Sequence, residues 1–375
     1  MNESAMAATA APLARAPGKL YIAGEYAVVE PGFPAIIAAV NRYVTVKVKQ
    51  REESGRIVTE NSRLFPLEWT RRDGRPDVDE RNHPFRFILS AIRHTEAYVH
   101  RAGRPLTYYQ VAVGSDLDRV DRQKYGLGSS AAVTVATVRA LLAYYHVTAD
   151  PQLVFKLAAL SHLSVQRNGS CGDIAASVYG GWLAYTSFDR NWLARQTDAG
   201  KVPAELLGAD WPGLSMCPLE APPDLRLLVG WTGHPASTYR LVKAITAAKS
   251  RRPDAYRRFL YASRACVERM IAGFRQQCPE AICREIRHNR CILADLSALS
   301  GVAIETDELR RLCELAEAQG AAAKSSGAGG GDCGIVLAGP ETDSRKIEKS
   351  WSQAGITPLN LRVTHPRGKK AEGNE

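Results

Sequence analysis

The chain has 375 residues, 45% of them hydrophobic and 23% charged, with 49 Lys and Arg against 39 Asp and Glu for a formal charge of +10. That composition belongs to a folded chain of one large or two medium domains, and no apolar run approaches the ~20 residues that span a bilayer. The basic residues are dispersed, with no zinc-finger, RRM or basic-helix pattern, so the charge does not mark a nucleic-acid-binding protein and fits equally a positive field drawing in small polyanions.

Met1 to Ala14 is alanine-rich, with Glu3 its only charge. It lacks the basic and apolar regions of a signal peptide and the arginines of a transit peptide, and is expected to be a flexible tail (1–14) on a cytoplasmic protein. From Tyr43 to Lys49 apolar and polar residues alternate, the period of a half-buried strand. Arg56 to Thr59 is expected to pair with it across the intervening Glu-Ser-Gly turn. A helix is predicted from about Pro84 to His100, a strand from Thr107 to Val113, and a long helix from Ser129 to His146. Asp150-Pro151 starts another helix, with Asp as N-cap and Pro at the first helical position. Gly180 to Ser187 returns as a strand. Asp198 to Pro223, rich in proline, glycine and polar turns, reads as a junction between domains. Beyond it a strand from Leu225 to Thr232 precedes several helices between Ala236 and Gly320. A strand from Gly334 to Leu337, a helix over about Glu341 to Ala354 and a strand from Thr357 to Val363 follow, with a polar tail from His365. Strands and helices without strict alternation predict an α+β fold rather than a doubly wound sheet. The eight cysteines form no Cys-x-x-Cys pair and no histidines stand at zinc spacing, so reduced, mostly buried thiols are expected.

Four segments carry chemistry. Gly126-Leu127-Gly128-Ser129-Ser130-Ala131 runs straight into a predicted helix. Its glycines permit close backbone approach, and the free amides of the first turn make an anion site, with Lys124 adding charge just before it. The string also fits Gly-x-Gly-x-x-Ala, but that dinucleotide motif needs a strand entering the glycines, and the residues before Gly126 are polar. No Gly-Lys-[Ser/Thr] closes it, which excludes a Walker A loop. The second segment, Lys324-Ser325-Ser326-Gly327-Ala328-Gly329-Gly330-Gly331-Asp332, spends four glycines between apolar, structured flanks. Each glycine costs backbone entropy on folding, so close approach to a phosphate explains them better than a linker does. The third is Asn168-Gly169-Ser170-Cys171-Gly172-Asp173, an acid in a Gly-Ser setting before small apolar residues; a plain helix-capping Asp is the alternative. The fourth places Lys19 in an apolar strand-turn context, Ala16 to Tyr26. Turned inward, that lysine needs an anionic partner; turned outward, it is a surface lysine.

Together and in this order these segments resemble the GHMP superfamily of small-molecule kinases, over nearly the whole chain from Ala16 to about Val363. Gly24-Glu25-Tyr26, Lys124-Tyr125-Gly126-Leu127-Gly128-Ser129-Ser130, Gln166-x-Asn168-Gly-Ser-x-Gly-Asp173, Gly230-Trp231-Thr232-Gly233-x-x-Ala236-Ser237-Thr238 and the second glycine loop look most like bacterial-type phosphomevalonate kinases. The resemblance implies a ribosomal-protein-S5-like N-terminal domain (15–215), a ferredoxin-like C-terminal domain (216–364), a polar tail (365–375) and a site between the domains. It implies ATP and Mg2+ as cofactors and phosphomevalonate as acceptor, with mevalonate as the alternative, and a cytoplasmic monomer or homodimer. By residue, it assigns Asp173 and Lys19 to catalysis, and Lys124, Gly126, Leu127, Gly128, Ser129, Ser130 and Ala131 to ATP, with Ser130 on the metal. Lys19, Ser170, Asp173, Ser237, Thr238, Gly327, Ala328, Gly329, Gly330, Gly331 and Asp332 fall to the acceptor. One departure stands out: His162 occupies the position where mevalonate kinases carry a metal-binding glutamate.

Overall fold

Alternation and β-branched content along the first fifty residues produce a long hairpin. Leu13–Ala23 (β1) pairs antiparallel with Pro34–Arg51 (β2), joined by a turn holding a short helical stretch, Ala27–Val29. This computed structural model describes residues 11–60, 64–78, 83–117, 125–167, 169–199, 203–233 and 238–366. Gly55–Thr59 (β3), Leu67–Arg72 (β4), Arg75–Asp77 (β5), Tyr108–Ser115 (β6), Trp182–Thr186 (β7) and Ser215–Leu219 (β8) complete an eight-stranded sheet in the order β5-β4-β3-β6-β2-β7-β8, with β1 also on β2.

The expected pairing of residues 56–59 with 43–49 does not occur. Residues of β2 around Val46 pair with β1 on one edge and β6 on the other, so no hydrogen-bonding edge is left; β3 instead runs parallel to β6. The stretch read as a junction also holds β8, which pairs with β7 along its length and carries the first sheet to Leu219.

One face of this sheet is covered by Arg86–Arg101 (α1), Ser129–Tyr144 (α2), Pro151–Val165 (α3) and Gly172–Tyr179 (α4). Helix α2 is apolar nearly all round, with Ala131, Ala132, Val135, Ala136, Val138 and Leu141 fully buried, as a helix wedged between a sheet and the three helices α1, α3 and α4 must be. Its small first-turn residues let it approach β1 closely. Arg190–Asp198 (α5) and Pro203–Gly208 (α6) lead to β8.

The second sheet comes from Arg226–Trp231 (β9), Ala322–Ser325 (β10), Cys333–Ala338 (β11) and Thr357–Leu359 (β12). Its antiparallel order β10-β11-β9-β12, with Thr238–Arg251 (α7), Pro253–Arg275 (α8), Pro279–Ser300 (α9) and Asp307–Glu317 (α10) before β10 and Ser344–Gln353 (α11) before β12, is the ferredoxin-like topology. The last predicted strand is shorter than expected. Beyond Leu359 the chain leaves this sheet and crosses to the first: Val363 bridges Val40, the Thr364 amide donates to Ala39 O at 2.9 Å, and the Gly181 amide donates to Thr364 Oγ1 at 3.0 Å.

Between β1 and β2, Gly24 has φ +89, and a Cβ there would lie 2.5 Å from Pro34 O and 2.7 Å from Ala35 Cα. Only glycine turns the chain here, and that turn aims Glu25 and Tyr26 at the second domain. Gly24→Ala is expected to destabilise the protein by roughly 2–3 kcal/mol through overpacking and a strained φ, read as a lowered urea midpoint at unchanged slope.

Candidate active site

The two glycine loops face each other across a cavity of about 350 Å³ lined by Lys19, Tyr21, Glu25, Gly126 to Ser130, His162, Ser170, Asp173, Ser326 to Ala328 and Asp332, among others. Gly126 (φ +77) and Gly128 (φ +81) carry the chain into α2 in the left-handed region. The first i→i−4 bond of the helix runs from the Ala132 amide to Gly128 O, which leaves the amides of Ser129, Ser130 and Ala131 without intrahelical acceptors. These three N–H groups and the positive end of the helix dipole form an anion cradle.

Lys19 lies against this loop. Its backbone amide donates to Leu127 O at 2.8 Å and its Nζ donates to Gly126 O at 3.1 Å. The lysine stem also explains a glycine: a Cβ on Gly128 would come within 3.2 Å of it. The inward reading of Lys19 is therefore the one the fold adopts, with Nζ at the cavity wall and 5.5 Å from the Tyr21 ring centroid.

The second loop is pressed onto the first. A Cβ on Gly126 would sit 2.7 Å from Asp332 Oδ2. Cys333 Sγ donates to Tyr125 O at 3.1 Å, and both the amide and hydroxyl of Thr232 donate to Asp332 O, at 3.0 and 3.2 Å. Asp332 itself has φ +24, a conformation that costs a non-glycine residue energy and that clusters at functional sites. The glycines divide by role. Gly327 and Ala328 line the cavity, whereas a Cβ on Gly329 would meet Ile304 O at 2.2 Å and the Gly330 amide donates to Ile304 O at 2.8 Å, so these two are turned into their own domain.

Asp173 stands in the first turn of α4, preceded by Cys171 at φ +59. A Cβ on Gly172 would lie 2.5 Å from Ile37 Cδ1 and 2.6 Å from the Tyr21 hydroxyl, so a side chain there would displace both. Ser170 is held on every side. Its hydroxyl bonds the Tyr21 hydroxyl at 2.9 Å and accepts from the Gly172 amide at 3.2 Å, while its carbonyl accepts from Tyr185 and Ser187 hydroxyls at 2.5 and 3.2 Å. Burial, and next the negative field of Asp173, push the Tyr21 phenol far above its ordinary range, so it stays protonated and acts only through hydrogen bonds. His162 stacks on Phe87 at 4.8 Å, with Nε2 3.3 Å from Ser130 Oγ. Burial depresses its pKa, with Asp173 opposing in part, and leaves the ring neutral at pH 7.

Four side chains that sequence reasoning did not assign to the site link the domains beside it. Glu25 forms a buried ion pair with Lys324, the Tyr26 hydroxyl donates to Ala328 O at 2.5 Å, and Ser326 Oγ donates to Tyr21 O at 2.8 Å. Glu25, Tyr26 and Lys324 sit in the recognised segments, but nothing local signals that they meet across 299 or more positions. Among the expected residues, Ala131 is buried beneath the first turn of α2, and Gly331 shares the second loop without lining the cavity. Lys124 and Ser237 lie outside the described residues; Thr238 begins α7. Elsewhere, Cys266, Glu285 and His288 approach one another as metal ligands would, but the Arg269 guanidinium already spans Glu285 at 2.8 and 2.9 Å and meets His288 Nδ1 at 2.8 Å. A cation holds that place.

Residues 86–181 match the family described as GHMP kinases N terminal domain, and residues 270–357 match GHMP kinases C terminal. The chain is 39% identical over 361 residues to the phosphomevalonate kinase of Streptomyces sp. (strain CL190), covering 92% of this chain and 95% of that one. The chain belongs to the GHMP kinase family. A solved Streptococcus pneumoniae phosphomevalonate kinase in complex with phosphomevalonate and AMPPNP superposes with a TM-score of 0.82 at 31% identity, over 94% of this chain and 99% of that one. The mevalonate kinase of Thermococcus gammatolerans is 28% identical over 94% of this chain and 96% of its own length. The family's two-domain architecture is thus the one that holds these loops together.

His162 makes stability depend on pH. Its folded-state pKa lies below the unfolded value of ~6.5, so the unfolded chain binds the extra proton first and stability falls as pH drops below ~6.5. Urea midpoints measured between pH 7.5 and 5.5 should fall toward acid, and His162→Gln, which keeps a partner for Ser130 but does not titrate, should flatten that fall.

Proposed function

We propose that this protein catalyses the reaction of ATP with 5-phosphomevalonate to give ADP and 5-diphosphomevalonate, in the mevalonate route to isoprenoids and in the cytoplasm. The observation that carries the reading is the direct apposition of two glycine loops, Gly126 against Asp332, with Lys19 at their seam. Similarity over nearly the whole chain to enzymes named for this reaction supports the choice of acceptor.

The first loop and the start of α2 are the donor cradle: the amides of Ser129 to Ala131 receive the triphosphate oxygens. Lys19, held by Gly126 O, stands where donor and acceptor phosphates meet. Gly327, Ala328 and Asp332 close the acceptor side, with Ser170 fixed by its four bonds as part of the wall. The acceptor needs little help to become a nucleophile, since the second pKa of a phosphate monoester is near ~6 and the group is largely dianionic at pH 7. Its oxygen attacks the γ-phosphorus as the bond to the β-bridging oxygen breaks, and the electron pair leaves on ADP. Catalysis is then positioning and charge neutralisation, and Asp173 orients groups rather than removing a proton.

Charge accounting supports a divalent cation. Among the described residues lining the cavity Lys19 is the lysine or arginine present, against the carboxylates of Asp173 and Asp332, while Glu25 is neutralised by Lys324 behind the lining. Two phosphate charges brought to ~4 Å repel by about 4 kcal/mol at an effective dielectric of 20, more than one lysine offsets for several charges on each side. The hard oxygens of Ser130 and Asp173 suit Mg2+, while neutral His162 stands where an acid is expected, so the Ser130 hydroxyl would be the protein's ligand and nucleotide oxygens would supply most of the others. Bound there, Mg2+ would neutralise charge on the transferring group.

ADP release measured in parallel with mevalonate, phosphomevalonate and diphosphomevalonate should appear with phosphomevalonate alone; turnover of mevalonate in its place would overturn the acceptor assignment. Lys19→Ala should lower kcat by about 100-fold or more, the scale of losing one preorganised transition-state donor. The Asp173→Asn variant should lower kcat without a steep rise toward alkaline pH. A rise as external hydroxide took over would return Asp173 to the role of general base.

A further inference from the structure

Glu25 and Lys324 form an ion pair with side chains 2% and 0% exposed, one from the turn after β1 and the other from the last residues of β10 before the second glycine loop. Lys324 Nζ also donates to Ser325 O at 2.6 Å, while Glu25 Oε2 is buried without a hydrogen-bond partner and Glu25 lines the cavity. A buried pair of this kind is poorly explained by stability. Desolvating two charges costs several kcal/mol each, an apolar pair of equal volume often does as well, and an orphaned carboxylate oxygen adds to the cost. What the pair does possess is a fixed direction and length, spanning two domains at the point where the loop begins.

From this we infer that Glu25 is a positioning residue: through Lys324 it sets the height of the second glycine loop over the first, and so the spacing of the two phosphate cradles. The neighbouring bonds act in the same sense. Ser326 Oγ to Tyr21 O and Tyr26 Oη to Ala328 O fasten the next residues of the loop to the same turn, and Gly24 makes the turn possible. Because the pair is neutral as a unit, it fixes the loop without adding net charge beside the bound anions. The kinetic part of this inference rests on the proposed function; the structural part does not.

The test compares wild type with Glu25→Gln, Lys324→Met and the double variant, each by steady-state kinetics with ATP and phosphomevalonate and by amide hydrogen exchange. Glu25→Gln should lower kcat about 100-fold, the effect of ~1 Å misplacement, with KM for ATP within about threefold. Exchange of the Ser326 and Gly330 amides, bonded to Cys333 O and Ile304 O, should quicken at least tenfold while α2 stays protected. The double variant should be no worse than the poorer single one, because the two share one function. Unchanged kcat and unchanged loop exchange, or protection lost equally across the whole chain, would overturn the inference. A wild-type protein inactive on phosphomevalonate would reject the acceptor, and loop exchange would still decide the positioning role. If the variants of the pair do not fold, Tyr26→Phe, which removes one hydroxyl, carries the same expectation at about tenfold in kcat, and an unchanged kcat and loop exchange there would refute it.

Discussion

Mutual repulsion of the phosphate groups is the constraint to which the rest of this structure answers. A site that joins two highly charged anions must present donors to both from fixed directions, keep its own carboxylates from adding to the problem, and do so without a rigid cage of cations. On the proposed function, the fold meets this with backbone amides. The start of α2 supplies three of them together with the helix dipole, and the second loop brings a chain of small residues to the opposite side. Lys19 contributes the single lysine charge of the described lining at the seam. Amides bring partial charges already oriented by secondary structure, so little reorganisation is needed as charge moves between donor and acceptor.

Oriented amides are useful only if the elements bearing them are held in register, and here two domains must be registered against each other. The long β1–β2 hairpin is the common reference. It carries Lys19, Tyr21, Glu25 and Tyr26, receives the packing of α2 and α4, and takes the return of the chain at Val40 and Ala39. Left-handed backbone recurs at this seam, at a cost for the non-glycine residues Tyr26, Cys171 and Asp332 and at little cost for the glycines. Gly24, Gly126, Gly128, Cys171, Gly327 and Asp332 all adopt positive φ within the turns that surround the cavity, which is where backbone cost is expected to gather when geometry serves function.

Much of this was legible in the sequence, for identifiable reasons. The long helices and the period-2 strands declare themselves through local periodicity, and the glycine loops through a composition that stability does not explain. The resemblance supplied their order and the role of Lys19, whose surrounding residues alone left its direction open. What escaped was non-local. The insertion of β6 between β2 and β3 depends on competition for strand edges, which no turn sequence reveals. Membership of β8 in the first sheet was masked by proline and glycine content suited to a junction. The split between cavity-facing Gly327 and the inward Gly329 and Gly330 follows from Ile304, and the meeting of Glu25 with Lys324 from the docking of two domains. His162 was legible as a departure, but only the structure gives it Phe87 and Ser130 as neighbours.

The central claim is a division of labour between the two loops, and a structure of the protein with Mg2+, a non-hydrolysable ATP analogue and phosphomevalonate tests it most directly. The account predicts the triphosphate on the amides of Ser129 to Ala131, the acceptor phosphate against Gly327, Ala328 and Asp332, and Lys19 Nζ within hydrogen-bonding distance of oxygens from both. A triphosphate seated on the second loop, or an acceptor phosphate beyond the reach of Lys19, would contradict it.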